Sequence, residues 1–175
     1  MNIARIGAMI LRHLYVLRRS PIRIVELFYW PFMNMLVWGF ISTYLRGPAF
    51  GVAQAMGIFL GAVILWEILI RSNMGMTLAF VEELYARNLG HLFVSPLRPI
   101  ELVSACLITS ALRTILGLLP GALLLPMLFG YSVWDLGPAL GLFYLLLSVF
   151  GWSFGMLIMA ILMRWGLAAE GFAWA

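Results

Sequence analysis

The chain has 175 residues, of which 64% are hydrophobic and only 10% charged, and its formal net charge of +4 comes from arginine without a single lysine. An average soluble domain is roughly a quarter charged, so these charges are too few to cover a water-exposed surface. The composition excludes an ordinary soluble domain and does not call for nucleic acid as a partner.

A helix needs about 20 apolar residues to cross about 30 Å of hydrocarbon. Four runs meet that length: Leu27 to Leu45, Gly47 to Trp66, Thr114 to Trp134 with an earlier start near Leu102 left open, and Leu136 to Met163. They predict an all-α, polytopic membrane helical bundle. With a cytoplasmic N-terminus and one crossing per run, Arg5, Arg12, Arg18, Arg19, Arg23, Arg71, Arg87, Arg98 and Arg164 fall inside and Arg46 alone outside. The positive-inside rule therefore predicts that orientation, with Arg113 set apart. Ala53-Gln54-Ala55 resembles a cleavage site, but the basic segment before it is too long for a signal peptide and the apolar run exceeds an h-region. That run is read as a retained first span.

Residues 1–20 form the first element. Ile3, Ile6, Ile10, Leu14 and Leu17 share one helical stripe while Arg5, Arg12 and Arg19 recur by heptads on another face. This pattern predicts an interfacial helix with its arginines toward anionic headgroups, ended by Ser20-Pro21. The first span carries Pro31, a kinking residue, and Asn34, a polar group that requires a partner within the bundle. Arg46 to Gly51 reads as a short external turn. The second span continues past Trp66 into Glu67 and Arg71, an i, i+4 pair placed near the cytoplasmic boundary and read as a snorkelling ion pair rather than a transport site.

The third run places Ser110, Arg113, Thr114, Gly117, Pro120 and Gly121 on one face, which should look toward other helices. Arg113 is either intramembrane or marks the point of entry, and the sequence does not separate the two. Tyr131 to Asp135 reads as a second external turn with Tyr131 and Trp134 at the level of an aromatic belt. The fourth run is long enough to tilt or protrude. Gly57-Gly61, Gly117-Gly121, Gly137-Gly141 and Gly151-Gly155 have the spacing that permits close helix contact. After Arg164 the chain ends in Gly166, Ala168, Ala169, Glu170, Phe172 and Trp174 with no polar tail, which suggests the start of a fifth span.

The longest stretch between spans, residues 78–100, holds the most informative residues. Val81, Tyr85, Leu89, Leu92 and Phe93 form an apolar stripe, with Glu83, Arg87 and His91 opposite at successive i+4 steps. The spacing predicts a short amphipathic helix on the cytoplasmic face. Ser95-Pro96 ends it, and Pro99 with Glu101 opens the next helix. Such a helix, tied to the second and third spans, is placed to move both together.

Acidic Glu82 and Glu83, then Arg87-Asn88-Leu89, Phe93-Val94-Ser95-Pro96-Leu97-Arg98-Pro99 and Glu101-Leu102 resemble the cytoplasmic segment of ABC-2 type permeases, the membrane subunits of bacterial ABC exporters. Arg164, Gly166, Ala168-Ala169-Glu170 and Ala173-Trp174 are similar to that family's stretch before its fifth span. The resemblance implies a six-span permease domain of which residues 1–175 are the N-terminal part, embedded in the bacterial cytoplasmic (inner) membrane. It implies pairing with a second permease copy and with two separate ATPase subunits that hold ATP and Mg. It also implies outward movement of substrate, and a contact or coupling role for Glu82, Glu83, Arg87, Asn88, Ser95, Pro96 and Arg98. Asn34, Glu67, Arg71 and Arg113 remain as intramembrane polar candidates.

No chemistry is visible in the chain itself. His13 and His91 lie in separate helices without a ligand cluster, so neither a metal site nor a cofactor is expected on this chain. With no lysine there is no phosphate loop, so any ATP is hydrolysed by a partner. Cys106 reads as a core thiol. The alternatives are a secondary transporter or channel, which would call for more intramembrane charge or an internal repeat, and a noncatalytic membrane scaffold.

Overall fold

The computed structural model describes residues 2–44, 52–166 and 171, with the backbone alone for residues 52–58, 89 and 93. All regular structure among them is helical: α1 (Ile3–Arg19), α2 (Pro21–Tyr44), α3 (Val52–Tyr85), α4 (Leu89–Val94), α5 (Pro99–Phe129), a 3-10 turn (Val133–Leu136) and α6 (Pro138–Trp165). Four helices are long and apolar enough to cross a membrane: α2, α3 from Phe59 onward, α5 and α6. The expected turn at Arg46 to Gly51, and all but Gly166 of the closing residues that suggested a fifth span, lie outside the described residues.

Side-chain contacts set the direction of each helix. Ser72 meets Ser148, and Met76 lies against Gly155, so α3 and α6 run the same way. Leu27 meets Arg71 and Asn34 meets Glu67, so α2 runs against α3. Met35 and Phe129 lie against Gly121 and Gly39, so α2 and α5 are parallel. The long helices thus alternate in direction, as single crossings require. The ends of α3 and α6 gather with the starts of α2 and α5 and with α4, and α1 joins them there.

Helix α3 is the hub, and packing divides along it into three levels. At the α4 end Met76, Ala79 and Phe80 pack with Ile6 and Met9 of α1, Leu102, Ala105 and Cys106 of α5, and Ile158, Met159 and Leu162 of α6. At the other end Leu60, Ile64 and Ile68 pack with Met35, Leu118, Leu125, Phe129 and Val133. Between them runs a polar layer. Ser72 Oγ bonds Ser148 Oγ at 3.1 Å, Ser110 Oγ donates to Ser72 O at 2.9 Å, and Trp152 Nε1 donates to Ser110 Oγ at 3.1 Å. Each of these polar groups finds its partner inside the bundle, as burial without water demands.

Two of the glycine pairs serve close contact. A methyl on Gly151 would sit 2.7 Å from Leu69 O and one on Gly155 2.9 Å from the Met76 Cβ, so α6 rides directly on the α3 backbone. Gly117 likewise brings α5 against the Leu27 carbonyl of α2, and Gly121 receives the Met35 side chain. Gly141 faces open space, so the Gly137-Gly141 spacing makes no such contact. A methyl on Gly61 would meet only the Tyr131 hydroxyl, at 3.0 Å, and Gly57 falls where the backbone alone is described.

Several boundaries differ from the sequence reading. The second span does not close at Trp66, because α3 continues to Tyr85. Glu67 and Arg71 looked like a terminus only because they are charged, and in the bundle they neutralise each other. The pair is therefore not at the helix end: 85 − 71 leaves 14 residues beyond Arg71, about 21 Å of helix at 1.5 Å per residue. The first span starts at Pro21 instead of Leu27, and the third starts at Pro99. The predicted helix across Leu78 to Phe93 is split, since Val81 to Tyr85 finish α3 and α4 has only six residues.

Helix α1 packs against the bundle at the α4 end. Its buried residues are Ile6, Met9 and His13, a face rotated away from the predicted stripe, and Ile3 is 83% exposed. Arg5 and Arg12 turn to carboxylates of this same chain, Glu101 and Glu83. Those acidic partners lie 96 (101 − 5) and 71 (83 − 12) residues away in sequence, beyond the reach of helical periodicity.

Candidate functional site

Where α3 ends, the backbone makes a closed cap. Asn88 N donates to Glu83 O at 3.1 Å and Arg87 N to Leu84 O at 3.0 Å, with Arg87 in the left-handed region at φ 50°. This is the Schellman arrangement, in which glycine usually occupies the left-handed position. An L side chain there costs about 1 kcal/mol or more, and Arg87 is the only non-glycine with positive φ among the described residues. Its side chain is exposed, as are Gly90, His91, Val94, Pro96 and Arg98. Together they form the outer surface of the α3–α4–α5 junction.

Beneath that surface two adjacent carboxylates fasten four helices. Glu83, 3% exposed, accepts from Arg12 Nη2 at 2.9 Å and from Asn88 Nδ2 at 2.9 Å. His13 of α1 sits beside it, with Nε2 at 3.6 Å from Glu83 Oε1 and Nδ1 at 3.3 Å from Thr109 Oγ1 of α5. Glu82 takes Arg23 of α2 at 2.7 Å and Arg113 of α5 at 3.5 Å. A third carboxylate, Glu101, caps α5 and holds the start of α1: its two oxygens accept from Arg98 N at 3.1 Å and from Asn2 N at 2.7 Å. Arg5 adds a bond to the Pro96 carbonyl. The turn into α5 is closed by Ser95, whose hydroxyl donates to Leu92 O at 2.6 Å and accepts from Leu97 N at 3.3 Å.

Mechanically, these contacts join α1, α2, α3 and α5 into one unit on which α4 sits. Helix α4 is joined to α3 and α5 through the chain itself, and α1 and α2 are tied to the same junction by Arg12–Glu83 and Arg23–Glu82, pairs whose carboxylates lie inward and whose arginines are partly exposed. Glu83 and Arg87, four apart in sequence, do not pair. Arg87 lies beyond the helix end, and its left-handed backbone turns it outward while Glu83 points in. Glu82, Glu83 and Asn88 thus anchor the junction, whereas Arg87, Pro96 and Arg98 are its accessible residues.

The intramembrane candidates separate into two groups. Asn34, Glu67 and Arg71 come together midway along α3: Asn34 Nδ2 donates to Glu67 Oε1 at 2.6 Å and Arg71 Nε to Glu67 Oε2 at 3.2 Å. Glu67 is 4% exposed, while Asn34 lies at the outer edge of the group. Arg113 is not part of it. The residue sits 14 positions into α5 (113 − 99), yet its side chain runs back toward the helix start, as helical side chains do, and joins Glu82 at the α4 end. The Cα thus lies nearly halfway along α5 while the guanidinium reaches toward the α4 end. Of the expected inward face, Ser110, Arg113, Thr114, Gly117 and Gly121 are buried and Pro120 is half-buried.

Arg12, His13, Arg23 and Thr109 were not singled out from the sequence as site residues. His13 had a signal in hindsight: it interrupts the face of α1 that carries Ile6 and Met9, where a buried imidazole needs a polar partner. Among the described residues no group of three His, Cys, Asp or Glu side chains is close enough to hold a metal ion. No family model, curated protein or solved structure matches the chain.

Proposed function

We propose that this chain is the permease subunit of an ATP-driven exporter, set in the bacterial cytoplasmic membrane with its N-terminus inside. It works with a second permease copy and with separate ATPase subunits that bind ATP and Mg. One observation carries the reading: an exposed arginine is kept in a strained left-handed cap, at the junction of two long apolar helices, above inward-facing carboxylates paired with arginines of α1, α2 and α5. Strain of this kind persists where the side chain has a task. In this reading Arg87, Pro96 and Arg98 meet the ATPase, and Glu82, Glu83, Asn88 and Ser95 pass its motion to the bundle. The resemblance of residues 82–102 to ABC-2 permeases supports the same assignment, and α1 takes the role of an interfacial helix.

Co-expression with an ATP-binding subunit from the neighbouring reading frames, where such a frame is found, provides the test. Purified together in lipid nanodiscs, the two should form a complex whose ATPase rate changes on assembly. Arg87→Ala and Arg98→Ala should lose that change while still inserting. Absence of any ATPase from the purified complex refutes the proposal.

A second reading, a secondary transporter, draws on the Asn34–Glu67–Arg71 group. Uptake or efflux that follows an imposed ion gradient without ATP would favour it.

A further inference from the structure

Helix α2 divides at Pro31. Its buried residues, Pro31, Met35, Gly39 and Ser42, all lie from the proline onward, and Pro21 to Trp30 contribute none. Proline has no N–H, so the Leu27 carbonyl one turn earlier loses its intrahelical donor. Arg71 of α3 provides a substitute, with Nη1 3.1 Å from Leu27 O. The same guanidinium holds Glu67 through Nε, and Glu67 in turn accepts from Asn34, three residues beyond the proline. One Arg–Glu pair therefore bonds α2 on both sides of its missing hydrogen bond. Gly117 leaves the space for this, because a methyl there would lie 2.9 Å from Leu27 O and 3.3 Å from Arg71 Nη1.

We propose that Leu27–Pro31 is a hinge in α2 and that Arg71 with Glu67 is its latch. While the pair is bonded to both halves, α2 stays in line against α3 and α5. When Arg71 releases the Leu27 carbonyl, Pro21 to Trp30 turns outward about its tie to α3 at the Arg23–Glu82 pair, whose arginine is partly exposed, since this half of α2 has no buried side chain. A plain i, i+4 ion pair would need no third partner, whereas here each member also bonds α2. The inference is independent of the export reading, because it concerns the conformation of one helix.

The test is a compensation experiment. Glu67→Gln with Arg71→Met removes the latch without leaving a lone buried charge, and adding Pro31→Ala returns an N–H to Leu27 O. Spin labels on the exposed residues Val25 and Leu112, with Cys106→Ala as background, report their distance in lipid nanodiscs. Removing the latch should broaden the distance distribution and lower the melting temperature. Pro31→Ala should then restore a narrow distribution and most of the lost melting temperature. Non-additivity of this kind is the mark of a coupled pair. An unchanged distribution after latch removal overturns the proposal, as does a failure of Pro31→Ala to rescue, whether the protein fails to fold or the effects simply add.

Discussion

Replacing Arg87 with glycine should make the protein more stable and less active. The left-handed backbone at φ 50° costs an L side chain about 1–2 kcal/mol, and glycine removes that cost. Glycine also loosens the unfolded chain, which gives back roughly 0.4–1 kcal/mol. The net gain is about 0.5–1 kcal/mol, a roughly two- to fivefold smaller unfolded fraction. No compensating loss is expected from the side chain, which is exposed. Melting followed with a thiol-reactive dye suits this protein, because its one cysteine, Cys106, is buried and reacts only on unfolding. In parallel, ATPase coupling in the assembled complex should fall in Arg87→Gly and survive in a variant that keeps a cation, Arg87→Lys. A lower melting temperature in Arg87→Gly would refute the strain argument, and unaltered coupling would remove Arg87 from the partner surface.

Other outcomes follow from the same contacts. Glu83→Gln removes the charge that holds Arg12 and flanks His13, a charge-assisted bond of about 2 kcal/mol. Native-state labelling of Cys106, which packs in the same core as Ile6 and Met9, should then speed up by roughly 30-fold; an unchanged rate would mean that α1 is held by apolar packing alone. Gly151→Ala pushes a methyl to 2.7 Å from the Leu69 carbonyl and should destabilise by about 1–3 kcal/mol. Gly141→Ala enters open space and should be neutral or stabilise by up to about 1 kcal/mol. Thermal melts that show the same sign for both would contradict the close α3–α6 contact.

Much of the architecture was legible because a membrane-type helix advertises itself by length and apolar content alone. Four runs gave four long helices, and proline and glutamate at 99 and 101 gave the start of α5. The errors share a physical cause. Charges end an apolar run on paper but not in a bundle that can pair them, so Glu67 and Arg71 hid the last 19 residues of α3 (85 − 66). Within residues 78–100, apolar periodicity carried through the Arg87 turn, although a left-handed cap breaks the helix there. The site was legible as a segment but not residue by residue. Pairings such as Glu83 with Arg12, or Arg71 with the Leu27 carbonyl, join positions 44 to 71 apart and leave no local trace. The proline that creates the free carbonyl was visible, but its new donor was not.

The central claim is that the outer face of the α3–α4–α5 junction receives an ATPase, and site-directed cross-linking tests it most directly. Single cysteines at Arg87, Val94 and Arg98, in a Cys106→Ala background, would be paired with cysteines placed around the surface groove of the co-expressed ATPase. The account predicts cross-links from these three exposed positions that strengthen or shift when ATP closes the ATPase dimer. It predicts none from Leu142 on the exposed apolar face of α6. Absence of a cross-link at all three junction positions, in a protein that inserts and folds normally, would contradict it.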